Sequence, residues 1–211
     1  DNVSFEHGAL TEPLGCATYA IKNLQIEPGS FTVVIGPGAI GIMMAQLAKS
    51  GGAGKVALLG TRQYRLDIGK QLGADVTINT GENDPDAVKA QIEELTDGKM
   101  ADRVVVATGS VEAMETALAI SGRASTIVYF GLPGDDAVLK VPILQQILWD
   151  KTIRFSWLAP NVWQHAIGAL GAGLVDVGPL VSHTYPLEEL ADALGKVRDR
   201  VGNPMKPVIT I

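Results

Sequence analysis

One cysteine, Cys16, stands in 211 residues. A single thiol excludes an internal disulfide framework and any cysteine-rich zinc site built from this chain alone. Basic surplus is also missing. The 17 Lys and Arg residues face 23 Asp and Glu, for a net charge of −6, which argues against a nucleic-acid surface. No apolar run approaches the roughly 18 residues of a membrane span. No basic segment followed by an apolar one opens the chain as a secretory signal would. Repeats and low-complexity tracts are absent. The chain also lacks an initial methionine: Asp1-Asn2-Val3-Ser4 reads as the interior of a longer sequence, and the expectation is a fragment or an excised domain. Together these absences lead to expectations of a cytoplasmic protein with no nucleic-acid and no membrane partner. What is present, 46% hydrophobic and 19% charged residues, is the composition of a soluble globular chain with one good core and an appendage.

The most informative stretch is Val33-Val34-Ile35-Gly36-Pro37-Gly38-Ala39-Ile40-Gly41. An apolar β-branched run ends in G-x-G-x-x-G, and an alanine-rich helical pattern follows at once. Strand, tight turn and helix in that order make a dinucleotide fingerprint. Gly36 permits the turn, Gly38 lets the backbone approach a pyrophosphate, and Gly41 lets the helix pack near the strand. The helix start at Ala39 and Ile40 offers unpaired N–H groups and a partial positive charge to phosphate oxygens.

Further strands are expected at Lys55–Leu59, Asp75–Ile78, Asp102–Ala107 and Ser125–Phe130, with helices between them. Asp84-Pro85 supplies an N-cap followed by proline at the first helical position, and Gly73 is placed to end the helix before it. Five strand–helix alternations imply an α/β fold, a doubly wound parallel sheet (Rossmann fold) with right-handed crossovers. After Gly131 the rhythm changes. Ala137–Val141 and Thr152–Trp157 read as extended pieces around a short helix at Pro142–Trp149. Helices follow at Ala159–Gly173 and Pro186–Val201, then an extended end at Lys206–Ile211. The expected division is a linker helix over 1–30, the dinucleotide-binding domain over 31–185, and a C-terminal helix with a return strand over 186–211.

In an open α/β sheet, ligands bind beyond the carboxyl ends of the strands. Those ends are Gly36-Pro37-Gly38, Gly60-Thr61-Arg62, Thr108-Gly109-Ser110 and Gly131-Leu132-Pro133, each with a glycine suited to a flat ligand. About twenty residues past the fingerprint, dinucleotide folds often carry an acid that accepts hydrogen bonds from the adenosine ribose. Here that position is Gly60, with Thr61 and Arg62 beside it and Arg65 one helical step on. A carboxylate would repel a 2′-phosphate, whereas an Arg fork gives it paired, charge-assisted hydrogen bonds. Each is worth roughly 1.5–3 kcal/mol. The expected cofactor is therefore NADP(H), with NAD(H) second.

Several motifs converge on one resemblance. Gly8-Ala9-Leu10-Thr11-Glu12-Pro13-Leu14 resembles the G-A-L-x-E-P-L signature of zinc-dependent medium-chain dehydrogenases, particularly the sorbitol and threonine dehydrogenase branch. Leu72-Gly73-Ala74-Asp75 is similar to that family's L-G-A-D, and Val181-Ser182-His183-Thr184-Tyr185-Pro186-Leu187-Glu188 to its V-T-H-x-[FY]-P-L-E. The resemblance spans essentially the whole chain. It implies an N-terminal GroES-like catalytic domain, carrying most zinc ligands, that lies before Asp1. Glu12 is then the one position of the catalytic zinc within this chain, as a ligand or a partner of zinc-bound water. Zinc is expected in the full enzyme and not in this chain alone, because a catalytic site needs about three protein ligands. The bare residues also allow a helix-start carboxylate at Glu12, a buried helical thiol at Cys16 and a structural, hydrogen-bonded His183.

The same resemblance implies that Thr108, Gly109 and Ser110 border the ribose and Gly131 and Leu132 the nicotinamide. Ser156 and Trp157 would contact the carboxamide. Where polyol enzymes often carry Phe-Arg-Tyr, this chain has Trp157-Leu158-Ala159, which points to a less polar pocket. The implied activity is that of an alcohol dehydrogenase moving hydride between a secondary alcohol or polyol and nicotinamide, with a small alcohol or carbonyl compound as substrate. The isolated chain is expected to bind dinucleotide and turn over no alcohol. Val138–Trp157 is expected to supply an edge strand and a homo-oligomer interface, dimer or tetramer. Two readings stay open beside this one: a zinc-independent quinone or enoyl reductase of the same superfamily, and a non-catalytic dinucleotide-binding module.

Overall fold

The structure is a computed structural model that describes residues 3–211. Two helices open it, α1 (Phe5–Gly8) and α2 (Thr11–Leu24). Strand and helix then alternate through β1 (Phe31–Ile35), α3 (Ala39–Ser50), β2 (Lys55–Gly60), α4 (Gln63–Gln71), β3 (Val76–Asn79), α5 (Pro85–Leu95), β4 (Ala101–Val106), α6 (Val111–Ile120) and β5 (Ser121–Tyr129). A short helix α7 (Ile143–Leu148), strand β6 (Thr152–Phe155) and helix α8 (Trp163–Gly171) follow. The chain finishes with β7 (Val181–Pro186), α9 (Leu190–Arg198) and β8 (Lys206–Thr210).

Six strands form one parallel sheet in the order β3-β2-β1-β4-β5-β6. The order reverses between β1 and β4, so a crevice opens at the carboxyl ends of those two strands. The central strands are apolar on both faces because both faces are covered. Val34, Leu58, Val105 and Val128 pack with α2, α3, α4 and α8 on one side. Val33, Leu59, Val104 and Ile127 pack with α5 and α6 on the other. Two carboxylates pin strand starts: Asp102 Oδ2 accepts from Phe31 N at 2.7 Å and Asp75 Oδ2 from Val56 N at 2.7 Å. Asp84 caps α5 through Ala87 N at 2.8 Å, with Pro85 at the first helical position.

Several local expectations differ from the structure. The linker helix expected over 1–30 is, among the described residues, two helices, broken at Ala9 and Leu10. The fifth strand starts at Ser121, four residues early, because Ser121 pairs with Ala101 across an irregularity in the ladder. Ala137–Val141 finds no strand partner and is a loop. Helix α8 starts at Trp163, since Leu158 and Asn161 both take left-handed backbone (φ 57° and 58°) that a helix cannot include. Val181–Pro186 forms a strand that pairs in parallel with β8, in a separate two-stranded sheet. This pairing crosses the expected boundary at 185/186. Among the described residues no helix is long and apolar enough to cross a membrane.

Candidate functional site: a crevice at the strand ends

Gly36 directly follows β1 with φ +110°, a conformation in which a side chain is strained. Its N–H donates to Leu59 O at 2.8 Å, which ties the turn to β2. Gly41 lies in the first turn of α3, where a Cβ would stand 1.9 Å from Gly36 O. Helix and strand can therefore meet only over glycine. A Cβ at Gly38 would meet no protein atom within 4 Å, so the space in front of it is open. Gly38 caps α3 without a side-chain acceptor. The N–H groups at Ala39, Ile40 and Gly41 thus stand at the helix start without a side-chain cap, the arrangement that attracts phosphate, although these three residues do not themselves line the cavity.

The crevice is a cavity of about 400 Å³, large enough for part of a dinucleotide. Nine of the sequence-expected residues line it: Gly36, Pro37, Gly38, Gly60, Thr61, Arg62, Arg65, Thr108 and Ser110. Ser110 also caps α6, its Oγ accepting from Ala113 N at 3.2 Å. Sequence reasoning missed Ile35 and Ala107 at the ends of β1 and β4, Thr80, Asn83, Pro85 and Val88 from the end of β3 into α5, and Glu112, Ala113 and Thr116 on α6. Thr80 directly follows β3, so the strand-end rule pointed at it. The α6 residues carry no such signal.

The two arginines differ. Arg62 is half-buried, and its guanidinium has no hydrogen-bond or ion-pair partner among the described residues, although its carbonyl accepts from Arg65 N and Leu66 N. Arg65 is held: Nε donates to Tyr64 Oη at 2.7 Å and Nη2 to Pro204 O at 2.9 Å, with the guanidinium 5.6 Å from the Tyr64 ring centre. Arg62 is thus the uncommitted cation on this wall.

The remaining expected residues lie outside this cavity's lining. Gly109 and Gly131 bind the loops after β4 and β5 to each other. A Cβ at Gly109 would stand 1.9 Å from Leu132 O, and one at Gly131 would stand 2.1 Å from the Thr108 carbonyl carbon. Leu132 is 67% exposed and Trp157 is 60% exposed. Ser156 is buried, with an Oγ that has no hydrogen-bond partner. His183 stacks on Tyr185 with ring centres 5.9 Å apart. Its Nδ1 is buried without a hydrogen-bond partner, contrary to the hydrogen-bonded role expected of it.

Glu12 sits exposed in the first turn of α2, and its Oε1 accepts from Cys16 Sγ at 3.3 Å. Burial, helped by this carboxylate, pushes the Cys16 thiol up to about 11. No group of three or more His, Cys, Asp and Glu able to hold a metal occurs among the described residues. Glu12 and Cys16 fall short of the roughly three protein ligands that a catalytic zinc needs, so these residues alone do not fit that metal.

Comparison with known proteins agrees with this geometry. Residues 39–171 match the zinc-binding dehydrogenase family. The chain is similar to sorbitol dehydrogenase of Gallus gallus, 34% identical over 193 residues, covering 92% of this chain and 54% of that protein. It therefore spans about half the length of the curated relative it matches. Its fold is that of a zinc-binding dehydrogenase from Sinorhizobium meliloti 1021 bound to NADP (21% identity, TM-score 0.86, 99% of this chain and 60% of that one). It is also that of a short chain alcohol dehydrogenase from E. coli CFT073 complexed with NADH (22% identity, TM-score 0.90, 100% and 61%). With a parallel six-stranded Rossmann sheet, a glycine fingerprint at its switch point and a family match across more than half its length, this chain belongs to the zinc-binding dehydrogenases.

Proposed function

We propose that this chain is the cofactor-binding part of an NADP(H)-preferring alcohol dehydrogenase that acts on a secondary alcohol or polyol. One observation carries the cofactor preference: the wall at the end of β2 has glycine where an acid would bind the ribose, and Arg62 and Arg65 line the same cavity. The turn from Gly36 to Gly41 would hold the pyrophosphate through backbone N–H groups, which needs no side chain. Gly60 leaves the ribose edge uncharged, Thr61 offers a hydroxyl, and Arg62 brings an unpaired guanidinium to a 2′-phosphate. Thr108, Gly109 and Ser110 border the next ribose, and Gly131 and Leu132 the nicotinamide. The unpartnered Ser156 Oγ supports a polar group such as the carboxamide at the end of β6. When bound, NADP(H) supplies or accepts the hydride, and the chain's own contribution is to orient it. The zinc-site role of Glu12 rests on the family resemblance.

Calorimetric titration of the chain with NADP⁺ and NAD⁺ tests this reading. Tighter NADP⁺ binding by at least about tenfold is expected from one charge-assisted phosphate contact. Equal binding, or tighter NAD⁺ binding, refutes the preference.

A further inference from the structure

Pro37 and Gly60 belong to different elements, yet the structure brings them into contact that no side chain at position 60 can share. A Cβ built on Gly60 would stand 2.1 Å from Pro37 Cδ and 2.3 Å from Pro37 Cγ, well inside any tolerated carbon–carbon approach. Both backbones are pinned. In the β1–β2 ladder Ile35 stands opposite Leu59, which carries Pro37 over the residue after Leu59. Gly36 N–H donates to Leu59 O at 2.8 Å, and Gly60 O accepts from Thr80 N at 2.9 Å. The end of β2 is therefore held from both sides. Pro37 is itself buried, and its ring fixes φ. Neither partner can step aside cheaply.

We infer that Pro37 is a specificity-determining residue: its ring occupies the volume that a ribose-binding carboxylate at position 60 would need, so the fingerprint turn itself excludes the NAD-type acid. This inference rests on the proposed use of the position-60 wall for the adenosine ribose. Gly60 is then required by packing as well as by charge. Exchange of Gly60 for an acid alone does not convert the site; it pushes the turn out of shape and harms every dinucleotide. Conversion needs Pro37 removed as well.

A double-mutant cycle reads this coupling. The variants are Gly60→Asp, Pro37→Ala and the two combined, each titrated with NAD⁺ and NADP⁺. Gly60→Asp alone is expected to raise the Kd of both cofactors by roughly tenfold or more, as overpacking disturbs the turn. Pro37→Ala alone is expected to keep the ratio of the two Kd values within about twofold. The combined variant should recover NAD⁺ binding to within about threefold of the parent chain while NADP⁺ stays at least about tenfold weaker. The inference is overturned if Gly60→Asp alone keeps NAD⁺ affinity and loses only NADP⁺, or if adding Pro37→Ala restores nothing. Should Gly60→Asp fail to fold, Gly60→Ala isolates the steric part. Its melting temperature should fall and return on addition of Pro37→Ala, and an unshifted melt for Gly60→Ala overturns the clash. The unsubstituted chain separately reads the NADP(H) preference. If it favours NAD⁺, that preference fails, while the recovery of NAD⁺ binding across the cycle still decides the role of Pro37.

Discussion

Replacing Arg62 by alanine isolates the one uncommitted cation of the crevice among the described residues. Arg62 lines the cavity, is half-buried, and its guanidinium has no partner among the described residues, so its loss orphans no neighbour. A charge-assisted hydrogen bond to phosphate is worth roughly 1.5–3 kcal/mol. Partial solvent access places Arg62 near the lower end. About 1.4 kcal/mol is tenfold in affinity, so Arg62→Ala should weaken NADP⁺ binding by about tenfold. NAD⁺ has no 2′-phosphate and should change by less than about twofold. The proposed 2′-phosphate contact would be ionic and near solvent, so the gap between parent and variant should shrink as salt rises from about 0.05 to 0.5 M. Calorimetric titrations with both cofactors at the two salt concentrations make the assay. Loss of NAD⁺ affinity equal to that of NADP⁺ would refute the reasoning, because it would make Arg62 a general structural contact and leave the phosphate without its selector.

Three further outcomes are expected. Gly41→Ala drives a Cβ to 1.9 Å from Gly36 O; it should cost about 2–3 kcal/mol of stability and weaken both cofactors alike, checked by thermal melting and titration. Lys151 donates to Leu118 O and Ser121 Oγ, each at 2.9 Å, and burial, then repulsion from Lys89, lowers it to about 8. An unfolded lysine keeps its proton to about 10.4, so between these values the unfolded chain binds more protons and stability gains as pH rises. Melting temperatures of the parent chain relative to Lys151→Met should therefore move in the parent's favour from pH 8 to pH 10, and a constant difference would contradict the assignment. Cys16, pushed up to about 11 by burial and Glu12, should carry roughly 100-fold less thiolate at pH 8 than a thiol at the ordinary value. Mass spectrometry should show slow alkylation by iodoacetamide, and a rate equal to that of free cysteine would oppose it.

Much of the fold was legible because its signals are local. β-branched runs mark β1 and β4, Asp84-Pro85 marks the start of α5, and G-x-G-x-x-G marks the switch from strand to helix. β7 was not legible. Val181–Pro186 is only partly buried and is a strand because β8, some 20 residues on, lies beside it. Trp163 could not be read as the start of α8, because the left-handed turns at Leu158 and Asn161 depend on how β6 hands over to that helix. The site divides similarly. The strand-end glycines, Thr61 and the arginines stand out by type and position, whereas Glu112, Ala113 and Thr116 line the crevice only once α6 has packed against β4.

The sequence by itself determined a parallel α/β sheet, a glycine turn between strand and helix and a missing acid at Gly60, since each depends on a few neighbouring residues and on backbone chemistry that needs no distant partner. Tertiary structure alone decided what surrounds the place of the missing acid. It set the two arginines apart, tying Arg65 to Tyr64 and Pro204 and leaving Arg62 unpaired. It also laid Pro37 over Gly60. Residues far apart in the chain compete for volume and hydrogen bonds only after the strands have aligned, and that competition is not written in either segment alone.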